Sequence, residues 1–374
     1  MHNQLTLIPN ILLMGPGPSC VSNSVYNALA KPTLGHLDPV FIELMDDIKK
    51  FLKELMGTEN ELTIPVSGTG SAGMETCFVN LIEPGDKVLI LINGVFGTRM
   101  EDVASRLGAV VDSINFEWGT AVDLNPVAEK LAKTKYDLVA VVHAETSTGV
   151  CNPIRELGHL IQNNGALYIV DAVTSLGGVE VKMDNWYIDA LYSGTQKCLS
   201  CPPGLSPVSF SDRALKKLSN RKSKVPNWYL DLSMITKYWS GKSRVYHHTA
   251  PINMLYGLYQ ACFNIIDEGL DSVIQRHSEM HQMLVNELNI LGLELFVDES
   301  IRLPMLNSIK IPDDADDVLV RSRLLKEFHI EIGGGLGPLS GKIWRIGLMG
   351  ETAKKESIHK LMDAFKKVLN LDSV

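Results

Sequence analysis

A chain of 374 residues with 45% apolar and 21% charged residues buries a large core and reads as a globular protein of two or three domains, or one large domain with a smaller one. Its net charge of −8 argues against a nucleic-acid or anionic-membrane partner, because attraction to phosphate needs basic surface. The one dense basic run, residues 216–224, reads as a solvated helix end and loop.

Residues 1–19 form an extended N-terminal arm, since Gly15-Pro16-Gly17-Pro18 resists helix. A helix is predicted next. Asp38 caps it, Pro39 suits its first turn and Gly57 stops it. Between them Val40, Phe41, Leu44, Met45, Ile48, Phe51, Leu52 and Leu55 recur at helical spacing. The glycine-rich stretch 67–73 then leads into a helix over 74–81. Continuous apolar runs at 88–92, 138–142 and 167–170 read as strands buried on both faces, as in a parallel sheet. Between the last two, Asn152-Pro153 starts a helix and Asn163-Asn164-Gly165 ends it, which makes a βαβ unit. The pattern changes near residue 268. A long amphipathic helix over 270–291 precedes strand-like runs at 293–297, 308–311, 330–332 and 343–346, a helix over 318–328 and a closing helix from about 354. The predicted division is therefore an arm at 1–19, a large α/β domain at 20–268 and a smaller α+β domain at 269–374.

The six cysteines are scattered, so reduced thiols are expected. Cys198 and Cys201 form a single Cys-x-x-Cys with no second pair, so no metal site is expected. No apolar run approaches the ~18–20 residues of a membrane span. The first residues lack the basic flank of a secretory signal, and the last three are no peroxisomal address, so a cytoplasmic protein is expected.

Ligands of open α/β sheets gather beyond the carboxyl ends of the strands, and the chemical residues cluster there. Glu145-Thr146-Ser147-Thr148-Gly149 follows one strand, Asp171 ends the next, and Lys197 lies just past the run Ala190-Leu191-Tyr192. A lysine amine that can bond an aldehyde, with an acid to hold a ring nitrogen charged, is the combination pyridoxal phosphate asks for. The stretch 67–73 at a helix start offers backbone N–H groups and the Thr69 and Ser71 hydroxyls to a phosphate. It lacks the Gly-Lys-Ser/Thr ending of a nucleotide loop. Phe96 is a candidate to stack on the ring. Arg345 sits inside an apolar strand and needs an anion, either a substrate carboxylate or a structural partner. Singly, each has a plainer reading: a surface lysine, a capping aspartate, a tight turn, a core phenylalanine. Their common placement favours the chemical one.

These residues resemble the class V, fold type I pyridoxal-phosphate aminotransferases, nearest the alanine–glyoxylate and serine–pyruvate group. The matching stretches are 13–19, 67–73, 145–149, 171–178, 193–197, 202–204, 246–249 and 334–338, together with Arg345. The resemblance implies a large domain on a mostly parallel sheet of the seven-stranded type, a small C-terminal domain, and a homodimer with sites at the interface. It makes Lys197 the residue bonded to pyridoxal 5'-phosphate and Asp171 the partner of the ring nitrogen. Thr69, Gly70, Ser71 and Gln196 would hold the phosphate, and Tyr246 and Thr249 would reach the phosphate of the neighbouring subunit. Phe96, where relatives often carry tryptophan, would stack on the ring, and Thr146 would sit near the ring hydroxyl. Arg345 would grip the substrate carboxylate, with Gly15, Gly17 and His36 at the substrate pocket. The implied reaction moves an amino group from alanine or serine to glyoxylate or pyruvate. Other donors (3-hydroxykynurenine, ureidoglycine), a lyase or desulfurase, and a non-enzymatic binding protein are the competing readings.

Overall fold

The computed structural model describes residues 4–240 and 244–370. Its strands are β1 (Leu12–Leu13), β2 (Leu62–Ser67), β3 (Lys87–Ile92), β4 (Val110–Asn115), β5 (Leu138–Val142), β6 (Ala144–Glu145), β7 (Val150–Cys151), β8 (Leu167–Asp171), β9 (Ala190–Tyr192), β10 (Leu205–Phe210), β11 (Leu306–Lys310), β12 (Ile330–Glu331), β13 (Gly333–Gly334) and β14 (Ile343–Gly347). Seven of them form one sheet in the order β2-β10-β9-β8-β5-β3-β4. Within it β10 alone runs against its neighbours β2 and β9, and the remaining pairs are parallel. Every residue of β5 and β8 is buried, as their unbroken apolar sequences require once helices cover both faces.

The helix signals behave as their chemistry dictates. Asp38 caps Pro39–Met56 by accepting from Val40 N at 2.9 Å, and Gly57 ends it with φ +61°. Ile154–Asn164 ends at Gly165 in the same left-handed conformation. One helix starts earlier than expected, at Gly70 rather than beyond Gly73. Glycine costs a helix roughly 1 kcal/mol, but here it permits close packing. A Cβ on Gly73 would lie 2.0 Å from Ser206 Oγ on β10.

A second hydrophobic core gathers Leu284 and Leu288 of the helix Leu270–Ile290, Ile309, Trp344 and Ile346 of a three-stranded sheet (β11-β14-β13), and Phe365 of the closing helix Lys355–Val368. The run 293–297 forms no strand there; it contributes one isolated bridge, Leu295 to Ile309. The N-terminal arm is stitched into this core. β1 pairs in parallel with β12, and Met14 is fully buried among the C-terminal residues. Burial of such a side chain contributes roughly 1.5–3 kcal/mol, enough to anchor the Gly-Pro-Gly-Pro segment that follows. On its far side Ser19 N donates to Gln196 O at 2.9 Å and Ser19 Oγ to Lys197 O at 2.7 Å. The arm thus spans from the second core to the lysine loop. Among the described residues no helix is long and apolar enough to cross a membrane.

Candidate active site

The carboxyl ends of β2, β3, β5, β8 and β9 surround one cavity. Thr69, Gly70, Ser71, Phe96, Thr146, Asp171, Gln196 and Lys197 line it, all anticipated from the sequence. Arg99, Met74, Val173 and Tyr192 line it too and were not anticipated.

Asp171 closes β8, 5% exposed. Its Oδ1 accepts from Val173 N at 2.8 Å and its Oδ2 from the Tyr192 hydroxyl at 2.8 Å. Burial pushes the carboxyl up to about 6, against these two hydrogen bonds. Asp171 and Tyr192 are direct register partners on β8 and β9.

Lys197 lies past the end of β9, 9% exposed. Burial lowers its ammonium to about 8; the Arg345 charge adds to the effect, while Cys198 and Asp171 oppose it. The amine donates to the Pro16 carbonyl of the arm. A Cβ on Gly17, which holds φ +108°, would lie 2.5 Å from Nζ, so the arm approaches the amine as only glycine allows.

One side of the cavity is a helix N-terminus. Thr69 occupies the N-cap position of Gly70–Leu81 without using its side chain there. The first N–H groups of the helix are left to a ligand. Gly70 sits tight against Val173, at 3.0 Å from a built Cβ. Gln196 Oε1 is buried with no partner among the described residues.

Arg345, on β14, is 6% exposed. Its Nε donates to Gly334 O at 2.8 Å and its Nη1 to Thr146 O at 3.0 Å. Both partners are backbone carbonyls, so the structural ion pair held open from the sequence is not made among the described residues. Burial pulls the guanidinium down to about 10, with Glu145 opposing, which leaves it charged at neutral pH. Arg345 does not line the cavity itself; it reaches it through Thr146.

Four more expected residues, His36, Tyr246, Thr249 and Gly15, lie elsewhere. The His36 ring packs on Tyr246, 5.2 Å between centroids, and the Tyr246 hydroxyl faces Thr249 Oγ1 at 3.4 Å. None of them lines the cavity of its own chain. Gly15, within the arm, also lies off the cavity, its backbone carbonyl pressed against Gly347 of β14.

Residues 22–337 match the family Aminotransferase class-V. The chain belongs to that family. An alanine–glyoxylate aminotransferase from Nostoc sp. has a crystal structure that superposes with a TM-score of 0.95, at 46% identity over 99% of this chain and 100% of that one. The (S)-ureidoglycine–glyoxylate transaminase of Bacillus subtilis is 38% identical over 96% of this chain and 90% of its own length. The alanine–glyoxylate aminotransferase of Drosophila melanogaster is 40% identical over 97% of this chain and 93% of its own. The architecture is the fold type I arrangement of these aminotransferases, and the resemblance read from the motifs holds across nearly the whole chain.

Proposed function

We propose that the chain is a pyridoxal 5'-phosphate-dependent aminotransferase that moves an amino group from alanine or serine to glyoxylate or pyruvate by ping-pong turnover. The observation that carries this reading is the placement of a depressed-pKa lysine and a buried aspartate on one cavity, beside a buried arginine whose partners are all neutral. The alanine–glyoxylate aminotransferases at about 40% identity favour this pair of substrates.

The residues present fit the cofactor. The uncapped helix start at Gly70, where a Cβ would crowd Val173, offers its first N–H groups to a phosphate, and Gln196 adds a donor through its amide nitrogen. When bound, pyridoxal phosphate supplies an aldehyde for amine exchange and a protonated ring that withdraws electrons from the substrate α-carbon. Asp171, its two oxygens oriented by the Tyr192 hydroxyl and the Val173 N–H, would hold the proton of the ring nitrogen. Thr69, Ser71, Gln196 and the helix start would hold the phosphate, Phe96 would stack on the ring, and Thr146 would serve its hydroxyl. Arg345 would bind the substrate α-carboxylate, and the Lys197 amine would take and return the α-proton as a general base.

The homodimer belongs to the same proposal. Thr69 and Ser71 are exposed, as are Tyr246 at 57% and Trp228 at 63%. A second copy would cover this face and bring its Tyr246 and Thr249 to the phosphate. Cys198 and Cys201, next to Lys197, are buried, and burial pushes both thiols up to about 12, so neither supports a desulfurase reading. Ureidoglycine as donor is the second reading, favoured by the Bacillus subtilis relative. A panel of amino acids that each discharge the visible band of the lysine-bound cofactor, with glyoxylate or pyruvate restoring it, tests the function. Discharge by alanine or serine supports it; discharge by ureidoglycine alone selects the second reading; no discharge rejects both.

A further inference from the structure

The helix that carries Phe96 starts without a cap of its own. It runs Val95–Arg106, and its N-cap residue is Gly94, which has no side chain to offer. The first turn of a helix presents N–H groups that need acceptors. Here the hairpin of β6 and β7 supplies them. Val95 N donates to Ser147 Oγ at 3.1 Å, and Phe96 N donates to Glu145 Oε2 at 3.3 Å. Glu145 Oε1 accepts from the Ser147 N–H at 3.1 Å and the Ser147 hydroxyl at 2.6 Å. The hydroxyl therefore gives to the carboxylate and receives from Val95. Glu145 and Ser147 are both fully buried.

Gly94 makes room for this arrangement. Its φ of 176° is ordinary extended backbone, but a Cβ would lie 2.3 Å from Glu145 Cδ and 2.5 Å from Ser147 Oγ. Between the two capping residues, Thr146 lines the cavity and accepts from Arg345. One tripeptide thus ties the ring-covering helix to the carboxylate-binding arginine.

We propose that Glu145 and Ser147 are positioning residues: together they replace the missing cap of the Phe96 helix and set that ring against the cofactor. Neither lines the cavity, so both act through the helix of Phe96, while the Glu145 charge also supports Arg345. The proposal rests on the pyridoxal phosphate reading of the site.

Two readouts test it: amide hydrogen exchange at Val95 and Phe96 in the cofactor-free protein, and visible circular dichroism of the bound cofactor. Glu145→Gln keeps the shape but turns one acceptor into a donor that faces an N–H. It is expected to speed exchange at the two amides about 5- to 30-fold, leave β5 unchanged and diminish the dichroism. Ser147→Ala removes the acceptor of Val95 N and is expected to speed exchange at Val95 more than at Phe96. Wild-type exchange or dichroism in Glu145→Gln, equal acceleration in β5, or wild-type exchange at Val95 in Ser147→Ala overturns the proposal. Should Glu145→Gln not fold, Ser147→Ala decides it. A wild-type protein with no visible cofactor band would reject the cofactor reading instead, and the exchange measurement would still decide the cap.

Discussion

The Lys197 cavity and the His36–Tyr246–Thr249 cluster are built on opposite terms. In the first, Lys197 is 9% exposed and Asp171 5%, each held by strand ends of its own sheet. In the second, Tyr246 is 57% exposed and lies outside the Lys197 cavity of its own chain. Burial shifts the titration of the first set and makes it reactive. The second set leaves its hydroxyls exposed, paired with each other at 3.4 Å. The contrast separates groups that one subunit completes from the added phosphate contacts, Tyr246 and Thr249, that a second copy would supply.

The comparison breaks first at Lys197. Lys197→Ala is expected to cut transamination about 10⁴-fold while the cofactor still binds noncovalently, as steady-state rates and equilibrium dialysis would show. Retained turnover would move the general base elsewhere. Arg345→Ala is next: about a 100-fold loss in kcat/KM for amino donors, with cofactor affinity unchanged. A loss confined to cofactor binding would place the arginine on the phosphate instead.

The third expectation is a pH profile. Lys197 titrates near 8 in the cofactor-free protein, and only its neutral form attacks an aldehyde. Covalent capture of the cofactor is therefore expected to rise about tenfold per pH unit below 8 and to level off above it. Stopped-flow absorbance would show this, and a rise continuing to pH 10 would mean an unshifted amine. The smallest effect belongs to the exposed cluster. Tyr246→Phe removes one hydrogen bond and is expected to weaken cofactor affinity about fivefold with kcat intact. The same substitution leaving affinity untouched would dissolve the division between the two regions.

Lys197 and Asp171 were legible because each ends or follows a short apolar run, and strand ends in α/β folds carry ligands. The cap, turn and stop residues around Pro39–Met56 were legible for equally local reasons. Tyr192 was not, since its bond to Asp171 depends on β9 lying beside β8, and strand order is a non-local fact. The pairing of Leu12–Leu13 with Ile330–Glu331 joins the N-terminal arm to the second core through two residues on each side, too short a pattern to register. Glu145 was in view only as part of a motif. Its task emerges once Gly94 is seen pressed against its carboxylate. Arg99 gave no signal of its own; its guanidinium lies 4.9 Å from the centre of the Phe96 ring, one helical turn along.

The most direct test is chemical. Holoenzyme reduced with borohydride and digested should yield one pyridoxyl-modified peptide, carrying the label on Lys197. Label on any other lysine, or none at all, would contradict the account at its centre.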